Sequence, residues 1–135
     1  MKKNIFTLVS IVTLLSLTQC NKEKACTYDF RLITISLTYD DGQPVFLDSC
    51  TVFWKNENRY LRTASFSRDE LINSKGYYSI VDDNMQEELE GREEIMHFTG
   101  FLNNEIICEK DVLVGADHCH IKYLGTEPLT QTIYR

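Results

Sequence analysis

Four consecutive residues near the end of the chain, Asp117-His118-Cys119-His120, gather most of the side chains that could do chemistry. If they lie on a strand, His118 and His120 share one face and Cys119 takes the other, because strand side chains alternate. Two imidazoles so placed are candidate ligands for zinc or copper, with Asp117 or a distant carboxylate completing the set. No C-x2-C or H-x3-H spacing is present. The preferred reading is therefore a disulfide-forming Cys119 flanked by histidines, with no cofactor. The same alternation keeps both neighbours from activating Cys119 as a nucleophile, leaving only His97 elsewhere in the chain for that role.

Other catalytic signatures are missing from the sequence. It has no G-x-S-x-G elbow and no glycine loop that could cradle a phosphate. The acids Asp82, Asp83, Glu87, Glu88, Glu90, Glu93 and Glu94 do not follow the spacing of an EF-hand loop. They read as a solvated, mutually repelling face. The expectation is a protein that is not an enzyme.

The chain has five cysteines. Cys20 ends the run Leu17-Thr18-Gln19-Cys20, which resembles a bacterial lipobox, and lipidation would consume it. Cys26, Cys50, Cys108 and Cys119 remain, an even set that in an oxidising compartment reads as up to two disulfides. Four cysteines allow three connectivities, and the one expected here is Cys26–Cys119 with Cys50–Cys108, pairing the ends and the middle of the domain.

The leader supports export. Lys2 and Lys3 precede an uncharged apolar run from Ile5 to Leu17. Its length falls within the roughly 7–15 residues of a signal h-region and short of the roughly 20 that span a bilayer. Residues 1–19 are expected to be a lipoprotein signal peptide, residues 20–27 a lipidated tether, and residues 28–135 a single domain. A cysteine bearing two or three acyl chains holds stably where one chain holds only marginally. Asn21 stands where an inner-membrane retention signal would place Asp, so the lipoprotein resemblance implies the outer membrane.

Charge narrows the partners. The whole chain carries −6, and losing Lys2 and Lys3 leaves 12 basic against 20 acidic residues, a net of −8. Nucleic acid and anionic lipid surfaces are disfavoured by that balance. The lipid supplies the expected membrane contact, and an envelope protein or glycan is the expected further partner.

The domain that positions these residues reads as strands. Ile33, Ile35, Leu37 and Tyr39 alternate with Thr34, Ser36 and Thr38, and Cys50, Val52 and Trp54 alternate with Thr51, Phe53 and Lys55. Further strands are expected over Tyr60–Phe66, Gly76–Val81, Glu94–Leu102, Glu105–Val114, His118–Leu124 and Leu129–Tyr134. Asp40 to Pro44 forms a turn in which Gly42 takes a positive φ, and Asn103-Asn104 closes a hairpin. Ser67 to Glu70 has the form of a capping box. Residues 84–92 suit either a short acidic helix, with Asn84 a candidate cap, or a solvated loop. The aromatics Phe53, Trp54, Tyr60, Phe66, Tyr77, Tyr78, Phe98 and Phe101 are numerous enough to stack on sugars, but alternation sends about half inward, Trp54 among them. Strands at roughly 8–12 residue spacing make an all-β sandwich.

Asp41-Gly42-Gln43-Pro44-Val45 followed by Gly76-Tyr77-Tyr78 resembles the D-G-x-P-V … G-x-Y pattern of carboxypeptidase regulatory-like domains. Val114 to Ile121 is similar to the closing segment of lipoproteins that carry such a domain. The resemblance spans most of Tyr28 to Ile121. It implies a prealbumin-like (transthyretin-like) Greek-key sandwich of about seven strands, in a lipoprotein of Gram-negative bacteria, with a non-catalytic binding or structural role. Two alternatives accompany that expectation: an accessory subunit of an envelope polysaccharide-uptake or adhesion complex, and a small metal-binding domain using His118 and His120.

Overall fold

The structure, a computed structural model, describes residues 25–65 and 75–134. The leader, Cys20 and the Ser67–Glu70 segment lie outside the described residues. Eight strands appear among those described: β1 (Leu32–Tyr39), β2 (Ser49–Trp54), β3 (Arg59–Ser65), β4 (Tyr77–Asp82), β5 (Glu93–Leu102), β6 (Glu105–Ala116), β7 (Ile121–Tyr123) and β8 (Thr130–Ile133). They form two sheets, β4-β1-β8 and β3-β2-β5-β6-β7. The fold is an all-β two-sheet sandwich. All pairings are antiparallel except β1 with β8, where Ser36 faces Thr130 and Tyr39 faces Ile133 in parallel. A parallel pair needs a long crossover. Here it joins the first and last strands, so most of the chain serves as the connection.

Alternation places the core as the residue pattern requires. Ile33, Ile35 and Leu37 of β1 are buried, as are Cys50, Val52 and Trp54 of β2. Met96 and Phe98 of β5 and Val112 and Val114 of β6 join them from the larger sheet. Tyr78 of β4 lies 6.2 Å from Phe98, ring centre to ring centre, and helps close the gap between sheets. Its hydroxyl donates to the Val45 carbonyl at 2.7 Å and accepts from the Leu47 amide at 2.8 Å. One buried phenol thereby satisfies two backbone groups of the irregular β1–β2 connection, which would otherwise be costly to bury.

Trp54 is fully buried and lies within reach of two cations. The Arg59 guanidinium lies 4.8 Å from its ring and that of Arg92 5.2 Å. Its indole N–H donates to Glu94 at 2.8 Å, and Glu94 is itself buried and paired with Arg92 at 2.6 Å. A carboxylate can be buried here because both its oxygens have partners.

The turns follow their chemistry. Gly42 has φ 81°, and the Gln43 amide donates to Asp41 Oδ1 within the same turn. Asn103 and Asn104 take φ 52° and 64°, the left-handed pair a tight hairpin demands. Gly76 has φ 79°, and a Cβ there would lie 2.6 Å from the Leu37 carbonyl oxygen, so only glycine fits.

Three sequence expectations are corrected. Residues 83–89 form a 3-10 turn (Asp83–Met85) and one α-helical turn, α1 (Gln86–Leu89), and the cap is Asp82, which accepts from the Asn84 amide. The segment expected as a strand over His118–Leu124 is a strand only from Ile121 to Tyr123. Cys50 and Cys108 are free buried thiols. Both are registered against Gly100, one on each side of β5. Two strand spacings put their Cα atoms about 10 Å apart, beyond the roughly 7 Å a disulfide can span. The methyls of Leu47 lie over Gly100, 2.8 and 3.1 Å from where its Cβ would be.

Candidate functional site

The outer face of the five-stranded sheet should be polar if its strands merely alternate core and solvent, but it mixes polar side chains with large apolar ones. Thr51 and Phe53 of β2, Tyr60 of β3, His97, Thr99 and Phe101 of β5, and Ile106 and Glu109 of β6 line a groove of about 340 Å³. Register sorts them into rows across the sheet. Phe53, His97 and Asp111 form one row, Thr51, Thr99 and Glu109 the next, and Phe101 with Ile106 a third. Phe53 and Tyr60 pack edge-on, with ring centres 5.0 Å apart. Tyr60 and Ile106 are 65% and 55% exposed, far more than the core aromatics.

The polar side chains of the groove are only partly engaged. His97 Nδ1 lies 2.6 Å from Asp111 Oδ1, and its Nε2 lies 3.4 Å from Glu109 Oε1. Asp111 also accepts from Lys55 Nζ at 2.5 Å. Burial pushes the Asp111 pKa up, but hydrogen bonds from Lys55 and His97 outweigh this and hold it below the usual carboxylate value. Asp111 is thus balanced, whereas the hydrogen-bond contact of Glu109 among the described residues is that long approach to His97.

The cluster that stood out in the sequence is arranged differently. Cys119 is bonded to Cys26, with Cα atoms 5.3 Å apart and a sequence separation of 93. His118 and His120 share no strand face, because residues 117–120 form a bend. Asp117 Oδ1 accepts from the amides of Cys119 and His120 at 2.8 and 2.9 Å, which curls the chain there. Lys122 first, then those two amides, hold the Asp117 carboxyl well below its usual range. His118 is exposed and turns to Glu90 at 3.3 Å, whereas His120 is buried and turns to Asp83. Among the described residues no group of three or more histidine, cysteine or acidic side chains is placed to hold a metal.

His120 stands in a hydroxyl–imidazole–carboxylate series. Its Nδ1 donates to Asp83 Oδ2 at 2.9 Å, and its Nε2 lies 2.9 Å from Thr27 Oγ1. The order is that of a hydrolase triad. However, Asp83 also accepts from the amides of Arg31 and Ile121, at 2.7 and 3.0 Å. Burial alone would raise its pKa, but those amides and the imidazole outweigh it and lower the carboxyl below its usual value. Neither the groove nor a second concavity, of about 200 Å³ beside Leu61 and Met85, contains any of the three residues. Beside the Cys26–Cys119 bond, the series fastens the N-terminal segment to the strands.

Sequence reasoning named His97, Phe53, Tyr60 and Phe101 but missed Thr51, Thr99, Ile106 and Glu109 as their neighbours. It also missed Thr27, and it read Asp83 only as part of an acidic face. No family model matches the chain, and no curated protein or solved structure matches it.

Proposed function

We propose that this chain is a non-enzymatic, lipid-anchored β-sandwich of the outer membrane or cell surface, which binds a partner through the outer face of its five-stranded sheet. The observation that carries the reading is the groove: four apolar side chains surround half-engaged polar ones on a face where solvent-facing residues are expected. Binding sites typically combine such apolar walls with a few convergent polar groups, in volumes of about 300–1,000 Å³. Export is supported by the Cys26–Cys119 disulfide, since such bonds persist in oxidising compartments. The leader and Cys20 support the anchor, and the D-G-x-P-V and G-x-Y resemblance supports a binding or structural role without catalysis.

Two measurements test this. The intact mass of protein extracted from its native membrane should begin at Cys20 with acyl chains added, and an unlipidated mass refutes the anchor. A photocrosslinking residue replacing Ile106 should capture envelope material more strongly than one replacing Tyr77 on the other sheet. Equal capture at both positions refutes the groove as the binding face.

A further inference from the structure

Resting on the groove as the binding face, we infer that its ligand is a saccharide whose rings carry no anionic group. The rows of the sheet carry the argument. Thr51, Thr99 and Glu109 form a polar strip between Phe53 on one side and Phe101 with Ile106 on the other. Rows on one face are about 6.6 Å apart, two residues of strand rise. A pyranose has the matching division, with apolar C–H faces for the aromatic rings and a rim of hydroxyls for the strip.

Other ligand classes fit worse. A wholly apolar ligand would cover the Glu109 carboxylate with no partner beyond its 3.4 Å approach to His97, which is costly. An extended peptide added to a sheet uses a free strand edge, and this groove lies on a face. Charge decides among sugars. Lys55 neutralises Asp111, which also hydrogen-bonds His97, while Glu109 retains acceptor capacity beyond its 3.4 Å approach to His97. Sugar hydroxyls donating to that carboxylate would make charge-assisted hydrogen bonds. A uronate or phosphorylated sugar would set like charge against Glu109 on a chain already at −6.

The test is titration calorimetry on the full chain, extracted in a detergent without a sugar headgroup. The probes are neutral gluco-, galacto- and manno-configured trisaccharides and a galacturonate trisaccharide. At least one neutral probe should bind at millimolar concentration or below, and the galacturonate probe should bind at least tenfold more weakly. Tyr60→Ala and Phe101→Ala should each weaken binding roughly three- to tenfold, the worth of an aromatic contact. Glu109→Gln should weaken the neutral probe and narrow the gap to galacturonate. Silence from every neutral probe overturns the inference, as does binding that ignores all three variants or favours galacturonate. If the neutral probes are silent while Ile106 still crosslinks preferentially, the ligand class falls and the binding face stands. If crosslinking is also lost, the face itself is refuted. A thermal melt of Tyr60→Ala checks that folding is kept.

Discussion

Two histidine–aspartate pairs in this molecule share the same chemistry and differ in everything around them. In His120–Asp83 the imidazole is buried and the carboxylate nearly so, both imidazole nitrogens have partners, and the carboxylate accepts two backbone amides. His97–Asp111 lies on an open sheet face, where its carboxylate is half exposed and its second nitrogen reaches only 3.4 Å toward Glu109. Completeness of partnering separates the roles. A fully satisfied buried network has nothing left to offer a ligand and acts as a fastening. A partly satisfied one beside aromatic rings can exchange water for a ligand at little cost.

The comparison can be broken in order of expected effect. Replacing Cys26 and Cys119 together with serine releases a loop of about 93 residues, worth about 4–5 kcal/mol on the chain-entropy view. Chemical denaturation should show that loss, and a loss under 1 kcal/mol would mean the fastening is carried elsewhere. Asp83→Ala should cost about 3 kcal/mol, because it leaves two amides and an imidazole without their acceptor. Asp111→Ala should cost under about 1 kcal/mol, since its partners are solvated. Equal losses for the two aspartates would erase the distinction between the pairs.

Acid sharpens the contrast further. The Asp83 pKa is lowered in the folded state, so its contribution is fully present above the unfolded carboxylate value, near 3.9. That contribution is lost as pH falls from there through the folded pKa. Asp111 has the same sign, weakened by its exposure. Stability measured from pH 6 to pH 2 should therefore fall less steeply in Asp83→Asn than in the native chain, with Asp111→Asn changing the slope little. Finally, Tyr60→Ala should move stability by about 0.5 kcal/mol or less, as an exposed side chain at the groove.

What could be read in the sequence follows from parity. Period two along β2 put Trp54 inward and Phe53 with Thr51 outward, and the structure agrees. The positive φ of Gly42 and the Asn103-Asn104 turn were legible because few residue types accept that backbone. Parity says nothing about which strands are neighbours. Cys50 and Cys108 both face inward, yet β5 runs between them, so an even count misled about the second disulfide. Burial pushes both thiols up to about 11, against a contribution from Arg62 at Cys50 and from Lys110 at Cys108. Alkylation at pH 8 should therefore label both only after denaturation. The 117–120 segment failed differently: Asp117 offers its carboxylate to local amides and diverts the chain from the strand that alternation suggested. The groove needed cross-strand register, which joins residues from Thr51 to Glu109 that no local window contains.

The bond between Cys26 and Cys119 also sets how the domain carries mechanical load. Tension arriving along the N-terminal segment reaches Cys26 and crosses through sulfur to Cys119. Between those points the chain is a closed covalent loop, so a pull from one terminus toward the other bypasses β1 to β6 and falls on the segment after Cys119. There β7 and β8 are short, with three and four residues. They should peel first under force, while the strands that build the groove stay folded. A ligand gripped in that groove would load the molecule differently, shearing β5 and β6 along the longest pairing among the described strands.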